Sequence, residues 1–143
     1  MIAVDTNILV YAHRKDSSFH DVAFRRVAEL SEGHRTWAIP WPCVHEFHAI
    51  VTHPRIYVPP STAAQAIAQL DAWMQSPSLV MIGETSHYWR DLRQVLTNRK
   101  VVGPKVHDAR IAAICMAHRV TELWSADRDF KNLGKLRLHN PLK

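Results

Sequence analysis

Cysteine is nearly missing from this chain. Cys43 and Cys115 show no metal-like spacing, and each lies in an apolar helical stretch where a thiol acts as a small hydrophobe. No disulfide is expected. Long apolar runs are missing too: nothing approaches the roughly 20 residues that a membrane span needs. The opening "MIAVDTN" has neither a basic segment nor a long apolar one, so a secretion signal is not expected there and a cytoplasmic protein is. The helix signature of a zinc protease is incomplete. In "HEFH", His45 and His48 are three positions apart rather than four, and a third ligand is lacking. Internal repeats, low-complexity tracts and linkers are absent as well. With 47% hydrophobic and 22% charged residues, neither disorder nor a fibrous repeat fits. A length of 143 residues suits a single domain, 1–143, large enough for a real core and too short for two.

Charge is present but unevenly spread. Residues 1–89 carry 6 basic and 8 acidic side chains, whereas 90–143 carry 12 and 5. A basic second half favours a polyanionic partner.

Short apolar runs alternate with helical periodicity. "IAV" reads as a buried strand, followed by a helix through "NILVYAH" and another carrying Phe19, Val22, Ala23, Val27 and Leu30 that ends at Gly33. "RTWAIP", "SLVMIG" and "TELWSA" read as further strands, with "KLRLHNP" as a short fifth at an edge. Between them lie helices with Val44, Phe47, Ile50 and Val51; with Ala63, Ala66, Ile67, Leu70, Trp73 and Met74; with Trp89, Leu92, Val95 and Leu96; and over "HDARIAAICMAH". "NRKVVGPK" is a basic surface loop. Strand-helix alternation implies an α/β domain, a mostly parallel sheet of four to five strands with helices on both faces. Ligands of such sheets bind beyond the carboxyl ends of the strands.

The acidic residues fall at that edge. Asp5 ends the first strand, Asp127 ends the fourth, Glu46 lies early in the helix after the second, and Asp108 opens the helix before the fourth. Carboxylates packed together repel one another unless a cation compensates. Oxygen-only ligation suits Mg2+ or Mn2+, which supports phosphodiester hydrolysis, so the pattern points to a nuclease with Asp5, Asp108 and Asp127 as cation ligands. Glu46 then positions a second ion or the attacking water. Arg99, Lys100 and Lys105, around the Gly-Pro loop, are the expected phosphate contacts.

"VDTNILVYA", Glu46, "HDARIAA" and "WSADRDF…LRLHNPL" occur in an order and separation that resemble the PIN-domain ribonucleases, in particular VapC-type toxins of bacterial toxin–antitoxin modules. The resemblance implies a three-layer α/β/α domain in which Asp5, Glu46, Asp108 and Asp127 take the places of the acidic quartet. Asn7 matches the polar residue supporting the first aspartate, and Asp129 the family's more variable extra acid. Ser125 stands where the family usually has threonine, retaining the hydroxyl. The resemblance further implies Mg2+- or Mn2+-dependent cleavage of RNA, a homodimer, and a cognate antitoxin covering the active site.

Blander readings stand beside these. Asp5 is well placed to cap a helix, Asp108 to complement a helix dipole, Glu46 to be solvated, and Asp129 to serve a turn. Two other functions compete with cleavage: a non-catalytic PIN-like scaffold that grips RNA or protein, and a nucleotide-sugar transferase using "DRD". The transferase motif is too short to carry weight. Trp37, Trp73 and Trp124 fall on apolar faces; Trp41 and Trp89 are the candidates for base stacking or antitoxin contact.

Overall fold

The computed structural model describes residues 1–131, 133 and 135–143. Its elements are β1 (Ile2–Val4), α1 (Thr6–His13), α2 (His20–Glu32), β2 (Trp37–Pro40), α3 (Trp41–Val51), α4 (Ala63–Met74), β3 (Leu79–Ile82), α5 (Tyr88–Arg99), α6 (Val106–Ala117), β4 (Glu122–Trp124) and β5 (Arg137–His139). Short 3-10 turns cover Gly103–Lys105 and Arg128–Phe130.

The five strands pair in the order β3-β2-β1-β4-β5, every pairing parallel. Helices flank this sheet: α1 packs on α2 and α3, and α5 packs on α6. β1 is fully buried, as a central strand covered on both faces must be, and so it shows no polar alternation. α6 is apolar nearly all round, with Ala109, Ile111, Ala112, Ala113, Ile114 and Cys115 all buried. Cys43 and Cys115 are buried free thiols, and Trp37, Trp73 and Trp124 fill the core while Trp41 and Trp89 lie exposed. Among the described residues, no helix is long and apolar enough to cross a membrane.

Two helical stripes are wider than the faces they bury. Of the α4 pattern, Ala66, Leu70 and Trp73 are buried, while Ile67 and Met74 remain exposed. On α5, Val95 is buried and Trp89 is 64% exposed. The helix α2 does end before Gly33, but not through a left-handed glycine: its φ is −80°. A Cβ there would lie 2.8 Å from the Glu29 carbonyl oxygen, so close backbone approach explains the glycine.

The chain lays β1, β2 and β3 to one side, then crosses to place β4 and β5 on the other side of β1. Strand order therefore reverses between β1 and β4, where the loops leaving the two strands part and open a crevice.

Candidate active site

Asp5 and Ser125 leave the carboxyl ends of β1 and β4 at this crevice, and the Asp5 N–H donates to the Trp124 carbonyl at 2.9 Å. Asp5 occupies the cap position of α1, yet its side chain makes no cap bond. Its Oδ2 instead accepts from the Ser125 hydroxyl at 2.7 Å, and its Oδ1 faces the Cys43 thiol at 3.7 Å. Simple helix capping thus does not describe it.

Ser125 is 1% exposed and serves as the hub. Its Oγ accepts from the Asp127 N–H at 3.0 Å and from Asn7 Nδ2 at 3.3 Å, while Asn7 Oδ1 accepts from the Ala126 N–H at 3.2 Å. Asn7 and Ser125 therefore fix the loop that carries Asp127 relative to Asp5. Replacing Ser125 by alanine leaves the buried Asp5 oxygen without its donor. Urea unfolding of Ser125→Ala should show a loss of about 1–3 kcal/mol, with Ser125→Thr retaining most of the stability.

Glu46 is half-buried in α3, and its Oε2 accepts from the Thr6 hydroxyl at 2.7 Å. Thr6 is itself buried, so this carboxylate is held rather than freely solvated. Asp108 stands in the first turn of α6. Asp108, Asp127 and Asp129 each bring a carboxylate oxygen within 4.8 Å of the others. Asp127 Oδ1 also accepts from the Asp129 N–H at 2.8 Å, capping the 3-10 turn that aims both acids at Asp108. The tight trio thus contains Asp129 where the sequence pointed to Asp5, which lies deeper and feels Glu46 and Asp108 electrostatically.

Burial pushes the Asp5 carboxyl up to about 6; the Ser125 hydroxyl and the nearby Thr6 backbone N–H oppose the rise, and Glu46 and Asp108 add to it. Asp108 is also pushed up to about 6, by burial first and then by Asp127, Asp129 and Glu46, against a smaller pull from His107. Cys43 is raised well above the usual thiol range, mainly by burial and then by Asp5, so it remains a neutral neighbour. Carboxyls raised by burial beside other carboxyls are a recurrent mark of functional sites.

A cavity of about 410 Å³ opens beside the trio. Arg99, Lys100, Lys105 and Lys131 line it together with Asp108 and Asp129. The three cations expected from the basic loop therefore stand against the acids, and Lys131 joins them. Lys131 follows the "SADRDF" motif directly, a position readable in the sequence. Thr6 carried a weaker signal: it lies between Asp5 and Asn7, but its partner is 40 positions away.

The PIN domain family profile matches residues 2–136. The chain is similar to Ribonuclease VapC48 of Mycobacterium tuberculosis, 29% identical over 137 residues that make up 96% of this chain and 94% of the relative. It is likewise similar to Ribonuclease VapC43 of the same organism, 30% identical over 142 residues, 99% of this chain and 96% of the relative. Among solved structures, VapBC2 from Rickettsia felis, bound to a DNA fragment from its promoter, matches with a TM-score of 0.68 at 25% identity, covering 98% of each chain. VapC20 from Mycobacterium tuberculosis, described as a Sarcin-Ricin loop cleaving toxin, shares the fold with a TM-score of 0.70 at 15% identity over 94% of this chain and 95% of that one. Matched from β1 almost to β5, and related over nearly its full length to VapC ribonucleases, this chain belongs to the PIN-domain family.

Proposed function

We propose that this chain is a metal-dependent endoribonuclease that hydrolyses RNA phosphodiester bonds and acts as the toxin of a toxin–antitoxin pair. The observation that carries this reading is the meeting of Asp108, Asp127 and Asp129 beside buried Asp5, against a cationic wall at the point where strand order reverses. The ribonuclease names of its relatives support cleavage over a non-catalytic scaffold.

The donor set fits a hard divalent cation. Every candidate ligand atom is a carboxylate oxygen, and Asp5 and Asp108 are both raised to about 6, by burial first and by neighbouring carboxylates after it. Asp108 and Asp127 would hold Mg2+ or Mn2+, with Asp5 beneath and Asp129 beside them. Such an ion supplies Lewis-acid stabilisation of the charge that builds on the phosphate. The chain's own groups do the rest. Ser125 and Asn7 keep Asp5 and Asp127 in register. Glu46, held by Thr6, orients the attacking water and accepts its proton. Arg99, Lys100 and Lys105 contact the phosphates flanking the cleaved bond.

The same reading extends to the whole chain, taken as one nuclease domain, 1–143, working in the cytoplasm. Exposed apolar side chains on α2 and α4, Phe24 and Ile67 among them, suit a cognate antitoxin. Trp41, packed over Gly83 at the end of edge strand β3, suits a homodimer contact.

The direct test is to incubate purified protein with RNA in Mg2+, in Mn2+ and in EDTA, beside an Asp127→Asn variant, and to map the product ends. Internal cuts are expected with metal, and none in EDTA or with the variant. RNA that stays intact in both metals while remaining bound would restore the scaffold reading. Expressed alone, the soluble wild-type protein should arrest growth and Asp127→Asn should not; normal growth with the wild type would remove the toxin role and leave the ribonuclease one.

A further inference from the structure

α5 has an unusual outer surface. Its one acid, Asp91, is largely buried and lies 3.8 Å from Arg90, and no exposed position of the helix is acidic. Arg90, Arg93, Thr97 and Lys100 follow one another at steps of three, four and three, so they form a single stripe. Trp89 begins the stripe with 64% of its surface exposed. At the other end, Arg99 and Lys100 line the cavity that holds Asp108 and Asp129. Solubility accounts for the arginines, but not for a bare indole set among them.

We infer that this face of α5 is the track that carries single-stranded RNA to and from the carboxylate site, with Trp89 stacking on an unpaired base at its far end. The inference rests on the nuclease reading and deepens it. Phosphate groups recognise the arginines, and a base with a free π-face recognises the indole, a combination typical of single-strand grooves. A duplex keeps its bases stacked on one another and offers Trp89 nothing comparable. The helix also sets a length. From Trp89 to Lys100 the rise is about 16 Å, which spans about five stacked nucleotides at roughly 3.4 Å each. The enzyme then reads a base several nucleotides from the bond it cuts, outside the reach of the basic loop.

The test uses the full chain carrying Asp127→Asn, in EDTA, with a fluorescein-labelled single-stranded RNA of mixed sequence and a duplex of the same sequence. Anisotropy titrations at several salt concentrations give the Kd and its salt slope. Arg90→Ala with Arg93→Ala should lower the slope of log K against log salt by about 1.4, roughly 0.7 per phosphate contact, whereas Arg25→Ala on α2 should not change it. Trp89→Ala should weaken single-strand binding about tenfold with the slope unchanged, Trp89→Tyr should restore it, and duplex binding should ignore both. Slopes for the double variant equal to that of Arg25→Ala, or unaltered affinity in Trp89→Ala, would overturn the inference. Sedimentation showing that Trp89→Ala turns a dimer into a monomer would assign the indole to self-association and overturn it too. If the wild type cuts RNA while these variants bind normally, the track alone fails. If the wild type neither cuts nor binds RNA, the nuclease reading fails and the track with it.

Discussion

Asp108→Asn is expected to cleave RNA about a thousandfold more slowly than the wild type at saturating Mg2+, a loss of about 4 kcal/mol of transition-state stabilisation. The same variant should bind uncut RNA more tightly than the wild type in EDTA. Both effects come from one carboxylate. On the proposed reading Asp108 would hold the cation together with Asp127, with Asp129 close beside them. Without one, Asp108 is a negative charge beside the cavity where Arg99, Lys100 and Lys105 would receive phosphates, and it repels them. Removing it therefore harms catalysis and helps binding. A misfolded variant would lose both together, and parallel losses in the cleavage assay and the anisotropy titration would sink this assignment. Protons compete for the same site. Asp5 and Asp108 are both raised to about 6, so at subsaturating metal the cleavage rate should fall as pH drops below about 6, with cation binding releasing protons. Raising the Mg2+ concentration should move that acid limb to lower pH. A limb that ignores the metal concentration would mean that some other group titrates.

The architecture was legible because the strands other than β5 carry apolar runs bounded by a breaker, an acid or a polar residue, and each helix repeats its apolar residues at helical spacing. "IAV" before Asp5 and "ELW" before Ser125 placed two carboxylate-bearing loops at one edge, and the reversal of strand order between them did the rest. Pattern fails where exposure depends on what a helix packs against. Ile67 and Met74 share the periodicity of Leu70, yet they remain partly exposed, 52% and 38%. It fails again in the site. The exchange of Asp5 for Asp129 in the closest carboxylate trio depends on a 3-10 turn of three residues, Arg128–Phe130, held by Asp127 itself. A turn so short has no periodic signature. The bond from Thr6 to Glu46 is invisible for another reason: no local rule pairs residues 40 positions apart in sequence. The exposure of Lys100 and Lys105 was readable because they flank a Gly-Pro breaker, whereas Arg99, expected in the same loop, closes helix α5.

Asp5→Asn should make the metal-free protein more stable while removing its activity. The folded carboxyl of Asp5 ionises at about 6 against an ordinary value of 3.8, burial being the main cause. Between those two pH values the unfolded chain has released this proton and the folded one has kept it. Stability therefore falls as pH rises through that window and levels off above it, leaving the ionised group destabilising by about 3 kcal/mol at neutral pH. Asparagine carries no charge, and its carbonyl oxygen still accepts from the Ser125 hydroxyl. The amide nitrogen fits less well, so a net gain of about 1–2 kcal/mol is expected, raising Tm in EDTA by roughly 3–8 °C at pH 7.5. Well below pH 3.8 Asp5 is neutral in both states, so only the poorer fit of the amide remains and the variant should melt below the wild type. Mn2+ should raise the Tm of the wild type, since an ion that binds the folded state at a hundred times its Kd contributes about 2.7 kcal/mol. It should do much less for the variant, whose stability no longer suffers from the missing cation. A variant less stable than the wild type at pH 7.5 in EDTA would show that Asp5 is retained for packing rather than for charge. The pocket would then have no electrostatic reason to bind a metal at its base. Loss of cleavage together with a gain in stability is the outcome that separates a carboxylate kept for chemistry from one kept for the fold.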